Sequence, residues 1–265
     1  MSKLFLWQVP MSPYVDKVKI ALHEKGLEFD AAVPDGIGVG VSPALVAANP
    51  RSEAPALIDG ETAIFDSSII LEYLEEQYPD VPLRAASPAE RARARMIEEV
   101  CDTHYEAINW GLFELNYFGR GKAEGMVDQL FAAARADVAA IHGWLTQQLG
   151  DAEWFGGASF GMADLAVAPF VGGTEFNGIP PEGALARWFE RVNQRPAVAK
   201  VRAESLAGAE ILQSVSGALD SGLLKRHYRD HRLEWMVRAG GMPVLLAGLA
   251  ADNVRFTDLA VLTAP

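Results

Sequence analysis

A run rich in proline and small residues at positions 79–88 divides this chain into two stretches with different hydrophobic periods. That change of period limits the folds open to it more than any single motif does. Before the run, short apolar segments at residues 4–9, 27–33, 54–58 and 62–65 carry strand patterning, and Asp59-Gly60 is a hairpin-turn dipeptide between the last two. Ser12-Pro13 reads as a helix start, with serine as N-cap and proline at the first helical position. Val15, Val18, Ile20, Ala21 and Leu22 then suit a helix ending near Gly26. Residues 35–40 read as a glycine-rich loop, and a second helix opens at Asp66 and closes at Pro79. After the run, residues 89–118, 122–149, 161–170 and 185–193 all read as helices. The pattern predicts a small β-α-β-loop-β-β-α domain over residues 1–79, an all-α domain over 89–204, and an extension over 205–265.

Composition excludes several functions. With a formal net charge of −12, the chain lacks the Lys and Arg surplus that binds phosphate backbones or anionic membranes. Its first residues are too short an apolar run for a signal peptide, and no segment approaches the length of a membrane span, so the cytoplasm is the expected location. The single cysteine, Cys101, rules out an internal disulfide, a Cys-x-x-Cys redox pair and a thiolate zinc site. None of the five histidines (His23, His104, His142, His227, His231) falls in a metal spacing; His227 and His231, four apart, read as a solvated helix face. No metal is expected.

Four local features line up in order. They are the strand leading into Ser12-Pro13-Tyr14; the stretch from Asn49 through Arg51, Ser52 and Glu53 to Ala54-Pro55; Phe65-Asp66-Ser67 opening a helix; and Gly161-Met162-Ala163-Asp164 with Trp188, Arg191 and Arg195-Pro196 beyond it. Together they resemble the glutathione transferase (GST) family of cytosolic bacterial type. The resemblance implies an N-terminal α/β thioredoxin-like domain, an all-α C-terminal domain, and glutathione as cosubstrate with no metal. It also implies a dimer, with itself or with a paralogue.

Physical chemistry fits that assignment. A helix N-terminus offers unpaired N–H groups and about half a positive charge, so it favours a thiolate. On the resemblance, Ser12 would donate its hydroxyl to the glutathione sulfur; read alone, it is a plain N-cap. Pro55 would be a cis-proline that turns Ala54 toward the cysteinyl backbone of glutathione. Asp66 and Ser67 would hold the γ-glutamyl ammonium and carboxylate, a role compatible with simple capping. The chain departs from the family at Ser52-Glu53, where many members carry Gln or Lys for the glycyl carboxylate. Arg51 or Lys17 would have to compensate. Gly161 is an acceptable cap with Asp164 at the third helical position, and Phe160 against Leu165 fits a hydrophobic staple. Trp188 and Arg191 read as structural.

The expected second-substrate wall is Tyr14, Tyr105, Trp110, Phe113, Tyr117 and Phe118; the same spacing also fits a helix core stripe. As a wall it implies a hydrophobic aromatic electrophile. The long tail, with its mixed-charge segment at 225–236, reads as a packed tail, a lid or a dimer element. With Ser-Pro-Tyr-Val it resembles bacterial transferases that cleave β-aryl ethers of lignin-derived aromatics. Two other classes compete: a catalytically inactive partner subunit, kept open by Glu53, and a thiol oxidoreductase, opposed by serine rather than cysteine at position 12.

Overall fold

The computed structural model describes residues 3–35, 42–116, 119 and 125–220, together with positions 243, 246, 249 and 250. Tyr117, Phe118, the glycine-rich loop at 36–41 and the 225–236 segment lie outside the described residues. Among the described residues are four strands: β1 (Leu4–Trp7), β2 (Phe29–Ala32), β3 (Ala56–Asp59) and β4 (Thr62–Phe65). They form one sheet in the order β2-β1-β3-β4, with β1 parallel to β2 and antiparallel to β3. β3 and β4 are the expected hairpin, and Gly60 supplies the positive φ of its turn. Asp59 at that turn accepts from the hydroxyls of Tyr73 (2.9 Å) and Tyr78 (2.6 Å), tying the hairpin to the next helix.

The sheet faces are covered unequally. Leu4 and Leu6 point into the main core, which continues without a break into the helical half. Trp7, Ile58 and Phe65 lie toward the opposite face, where α2 (Pro43–Ala48), a helix the sequence pattern did not suggest, sets Leu45 and Ala48 against Ala56. α1 (Pro13–Glu24) and α3 (Ser67–Gln77) complete the thioredoxin-like domain. α1 is buried on nearly every side, since Val15, Val18, Ile20, Ala21 and Leu22 are joined by Lys17 and Lys19 as buried residues. Its neighbours explain this: the sheet and α3 lie on one side, and two helices of the second half on the other.

The regular elements of the second half are helices among the described residues. The expected 89–118 helix is α4 (Pro88–Val100), a π-helical turn at Cys101–Tyr105, and α5 (Glu106–Asn116). α6 (Val127–Leu149), α7 (Met162–Phe176) and α8 (Gly183–Asn193) follow. α7 runs beyond its expected end at 170 and contains Pro169. α9 (Pro196–Asp220) runs unbroken through position 205. Polar side chains bind α1 to the start and middle of α9: Lys19 pairs with Glu204, and Glu24 takes Arg195 in a two-point contact at 2.8 and 2.5 Å. Gly208 approaches the loop before α1 so closely that a Cβ there would lie 2.8 Å from Pro10 Cβ.

The start of α7 is held from inside. Asp164 is fully buried and accepts from Phe155 N (3.0 Å), Gly161 N (3.0 Å) and Trp188 Nε1 (2.8 Å). Position 161 is glycine because a Cβ would lie 2.9 Å from the carbonyl oxygen of Leu83, which also accepts from Met162 N. Replacing Asp164 with Ala strands three donors in the core. The expected loss is about 4 kcal/mol, read as a lower denaturant midpoint at unchanged slope.

Candidate functional site

β1 leads through Pro10 and Met11 to Ser12, the N-cap of α1, whose backbone is extended (φ −80, ψ 115). Pro13 pre-sets the first helical turn, and the Asp16 amide closes it on the Ser12 carbonyl at 2.9 Å. Ser42, Ser87 and Asp66 each accept a backbone N–H at the start of their own helix. Ser12 does not. Its Oγ is buried and has no hydrogen-bond partner among the described residues. A buried hydroxyl left unpaired costs about 1–3 kcal/mol, so this one calls for a function.

Tyr14, two residues further on, lines a cleft of about 350 Å³ together with Asn49, Arg51, Glu53, Ala54, Pro55, Asp66, Ser67, Ser68, Glu99 and Asp102. The Ala54–Pro55 peptide is cis, as expected. The loop before it is pinned by Asn49, which donates to Glu53 O (2.7 Å) and accepts from Arg51 N (2.9 Å). Glu53 pairs with Arg51 at 2.7 Å, and Arg51 also reaches Asp66 at 4.0 Å. Asp66 opens α3 at φ 74 and caps it through Ser68 N (3.1 Å), which leaves Ser67 buried at the first helical position. The non-glycine residues of positive φ among those described are Met11, Ser52 and Asp66. All three adjoin or belong to this site, where a backbone held in an uncommon region marks function more often than chance.

Lys17 does not serve the cleft as a free cation. Its side chain is fully buried, with Nζ 2.6 Å from both Glu98 Oε1 and Asp102 Oδ2. Ser68 Oγ donates to the same Glu98 oxygen at 2.7 Å. Burial alone would lower the ammonium; the two carboxylates outweigh it and hold Lys17 above its usual value. Burial also raises Asp102, to about 6 against the pull of Lys17, and its Oδ1 has no partner. Tyr14 donates its hydroxyl to the Asp102 carbonyl at 2.5 Å. The π-helical turn thus presents side chain and backbone of one residue to α1 at once.

The expected aromatic wall divides. Phe113 lines a second, narrower cavity of about 90 Å³ between α1, α5, α7 and α9, where it stacks with Phe176. Tyr14 lines the first cleft, and Trp110 is half-buried on α5 outside both linings. Tyr105 belongs to the core: it is fully buried, 2.5 Å from His142 Nε2 and 2.8 Å from Thr174 Oγ1. Burial draws His142 down to about 4, so that imidazole is neutral near pH 7. Cys101 is buried too, and burial pushes its thiol up.

The likenesses to known proteins agree with this geometry. A family model described as the glutathione S-transferase N-terminal domain matches residues 6–82. Glutathione S-transferase GstB of Escherichia coli is 30% identical over 209 residues, spanning 74% of this chain and 96% of that relative. The chain belongs to the glutathione S-transferase family. Another relative, maleylacetoacetate isomerase of Pseudomonas aeruginosa, is 31% identical over 204 residues, 70% of this chain and 85% of its own. Among solved structures, rice GST1 in complex with glutathione superposes with a TM-score of 0.67 at 26% identity, covering 82% of this chain and 99% of that one.

Within the family fold, sequence reasoning missed Ser68, Glu98, Asp102 and Asp16. Glu98 and Asp102, four apart on one helix, were the available signal for a buried cation, but their partner lies far off in sequence. Replacing Lys17 with Met would leave both carboxylates buried without their cation. That should cost about 3–5 kcal/mol, measured by denaturant unfolding, with the loss smallest at low pH where the acids are neutral.

Proposed function

We propose that this family member uses the thiol of glutathione as nucleophile on a hydrophobic aromatic electrophile, and that its finer specificity is a β-aryl ether of a lignin-derived compound. The observation that carries the reading is the unpartnered Ser12 hydroxyl at the start of α1. Bound there, glutathione would supply a sulfur nucleophile, active as its thiolate. Ser12 donates a hydrogen bond to that sulfur, and the first-turn amides of α1 add the positive end of the helix dipole. A thiol held one to two units below its ordinary pKa needs about 1.4–2.7 kcal/mol of preference for the anion, which one hydroxyl and one helix end can supply.

The remaining residues orient the tripeptide. Ala54 turns its backbone toward the cysteinyl unit, Ser67 gives its hydroxyl and amide to the γ-glutamyl carboxylate, and Asp66 accepts from the γ-glutamyl ammonium. Arg51, already balanced by Glu53, takes the glycyl carboxylate. The relatives named as glutathione transferases, and the rice structure holding glutathione, support this reading. The proposal includes a cytoplasmic dimer, homodimeric or with a paralogue. Ile69 on α3 and Met96 on α4 stand 56% and 64% exposed, on helices joined by the Glu72–Arg95 pair, and so offer an apolar patch for a partner copy. A second reading, a catalytically weak partner subunit, draws on Glu53, which opposes the glycyl carboxylate.

Ser12→Ala separates these roles. A capping serine loses about 1 kcal/mol of stability on truncation. Here stability should hold or rise, because the buried hydroxyl has no bond to lose, while kcat falls about 10-fold. The thiol limb of the kcat/KM profile should move to higher pH. Absence of wild-type turnover with any activated aryl halide or aryl ether, despite retained glutathione binding, favours the second reading. A glutathione complex with its sulfur remote from Ser12 Oγ would overturn the mechanism.

A further inference from the structure

The narrow cavity between α1, α5, α7 and α9 is mostly apolar, walled by side chains such as Ile20, Phe113, Val198 and Leu206. Two polar groups in it lack an explanation in the fold. Asp16 sits one helical turn after Ser12 and lines this cavity. Ser205 of α9 holds its Oδ2 at 2.6 Å, and Oδ1 has no partner among the described residues. Asn109 of α5 is the other. It is 5% exposed, its amide nitrogen is committed to Phe170 O at 3.0 Å, and its Oδ1 is buried without a partner. Gly173 exists to admit it, since a Cβ there would lie 2.8 Å from Asn109 Nδ2.

We propose that Asp16, oriented by Ser205, is the specificity-determining residue of this cavity, donating a hydrogen bond to a carbonyl oxygen on a single-ring electrophile. The inference rests on the reading above, because the cavity opens beside the Ser12 end of α1, where Met11 and Pro13 line it. A mostly apolar cavity with a donor free to meet the ligand selects a ring that carries an oxygen over one that does not, since a plain ring leaves the polar group unpaired.

The groups around Asp16 fit a neutral acid. Burial raises its carboxyl to about 7, while Ser205 and Lys19 pull it down and Glu204 pushes it up. Lys19, outside the lining, is itself paired with Glu204, and Arg202 of the cavity wall is paired with Glu175 of α7 at 2.7 Å. α5 contributes the neutral Asn109. Below pH 7 the acid is therefore a donor; above it the carboxylate repels a carbonyl oxygen.

Phenacyl chloride and benzyl chloride test this as a pair, because both carry one ring and the same leaving group and only the first has a ketone. In the wild type, the phenacyl-to-benzyl ratio of kcat/KM should fall as pH rises through about 7. Thiol ionisation cancels in that ratio. Asp16→Leu should lower the ratio about 10-fold at pH 6, the loss of one hydrogen bond of ordinary strength. Asp16→Asn, which keeps a donor but cannot titrate, should hold the ratio and flatten its pH dependence. A ratio unchanged in Asp16→Leu, or independent of pH in the wild type, overturns the proposal. Binding of acetophenone against toluene, followed by NMR without glutathione, gives a readout independent of turnover. The wild type should prefer the ketone below pH 7 and Asp16→Leu should not; equal preference in the two proteins overturns the proposal. Failure of the wild type to turn over either chloride would instead count against the transferase reading, and the acetophenone titration would still decide the role of Asp16.

Discussion

A fully buried ammonium fixes much of this molecule. Lys17 leaves water only because Glu98 and Asp102 meet it at 2.6 Å each, from a helix in the other half of the chain. An isolated charge of that kind would cost many kcal/mol, so the helical half cannot shift away from α1 without exposing or stranding it. Tyr14 adds a second tie, its hydroxyl on the backbone carbonyl of Asp102. The π-helical turn makes both contacts possible by advancing the chain one extra residue where α4 passes into α5. The position of Ser12, five residues before Lys17, follows from that clamp.

The same constraint gives the unpartnered hydroxyl its meaning. Helix starts in this chain are capped by side chains where serine or aspartate is free to fold back, as Ser42, Ser87 and Asp66 do. Ser12 stands at an equally suitable residue and turn, yet its Oγ is left unpaired inside the protein. The loop before it is held by β1 on one side and by the close approach of α9 at Gly208 on the other.

Legibility of the sequence followed the range of the interactions. Local chemistry was readable: Ser12-Pro13 as a helix start, Asp59-Gly60 as a hairpin turn and Asp66 as the opening of α3 all depend on a few consecutive residues, whereas the cis-proline at 55 was implied by the family resemblance. So was the division between mixed and helical halves, because a change of hydrophobic period survives in any context. What failed depended on distant partners. Lys17 looked available for a ligand because its two carboxylates lie more than eighty positions away. Tyr105 looked like a wall because an aromatic stripe has the same spacing whether it faces a cavity or a core; His142 and Thr174, which decide the matter, come from other helices. α2 escaped notice because it is six residues long, with only Leu45 and Ala48 buried.

α1 unites these observations, since one rigid element lines two cavities. Tyr14, two residues after the N-cap Ser12, lines the cleft built from the cis-proline loop and the start of α3. Asp16 lines the narrow cavity against α9. One helical turn, about 5.4 Å, separates Ser12 from Asp16, and the amide of the second is bonded to the carbonyl of the first. A reaction between two bound molecules needs the attacking atom and the carbon it attacks fixed within a few tenths of an ångström, and loops seldom hold that tolerance. On the proposed reading, hydrogen-bonding groups for both stand on consecutive turns of a helix buried on nearly every side, which would transfer the rigidity of the core to the distance between the reactants. The acidic character of the chain is no obstacle to anionic chemistry there, because the field that matters is set by helix ends and paired side chains within a few ångströms. The net charge is carried largely by exposed groups that salt screens.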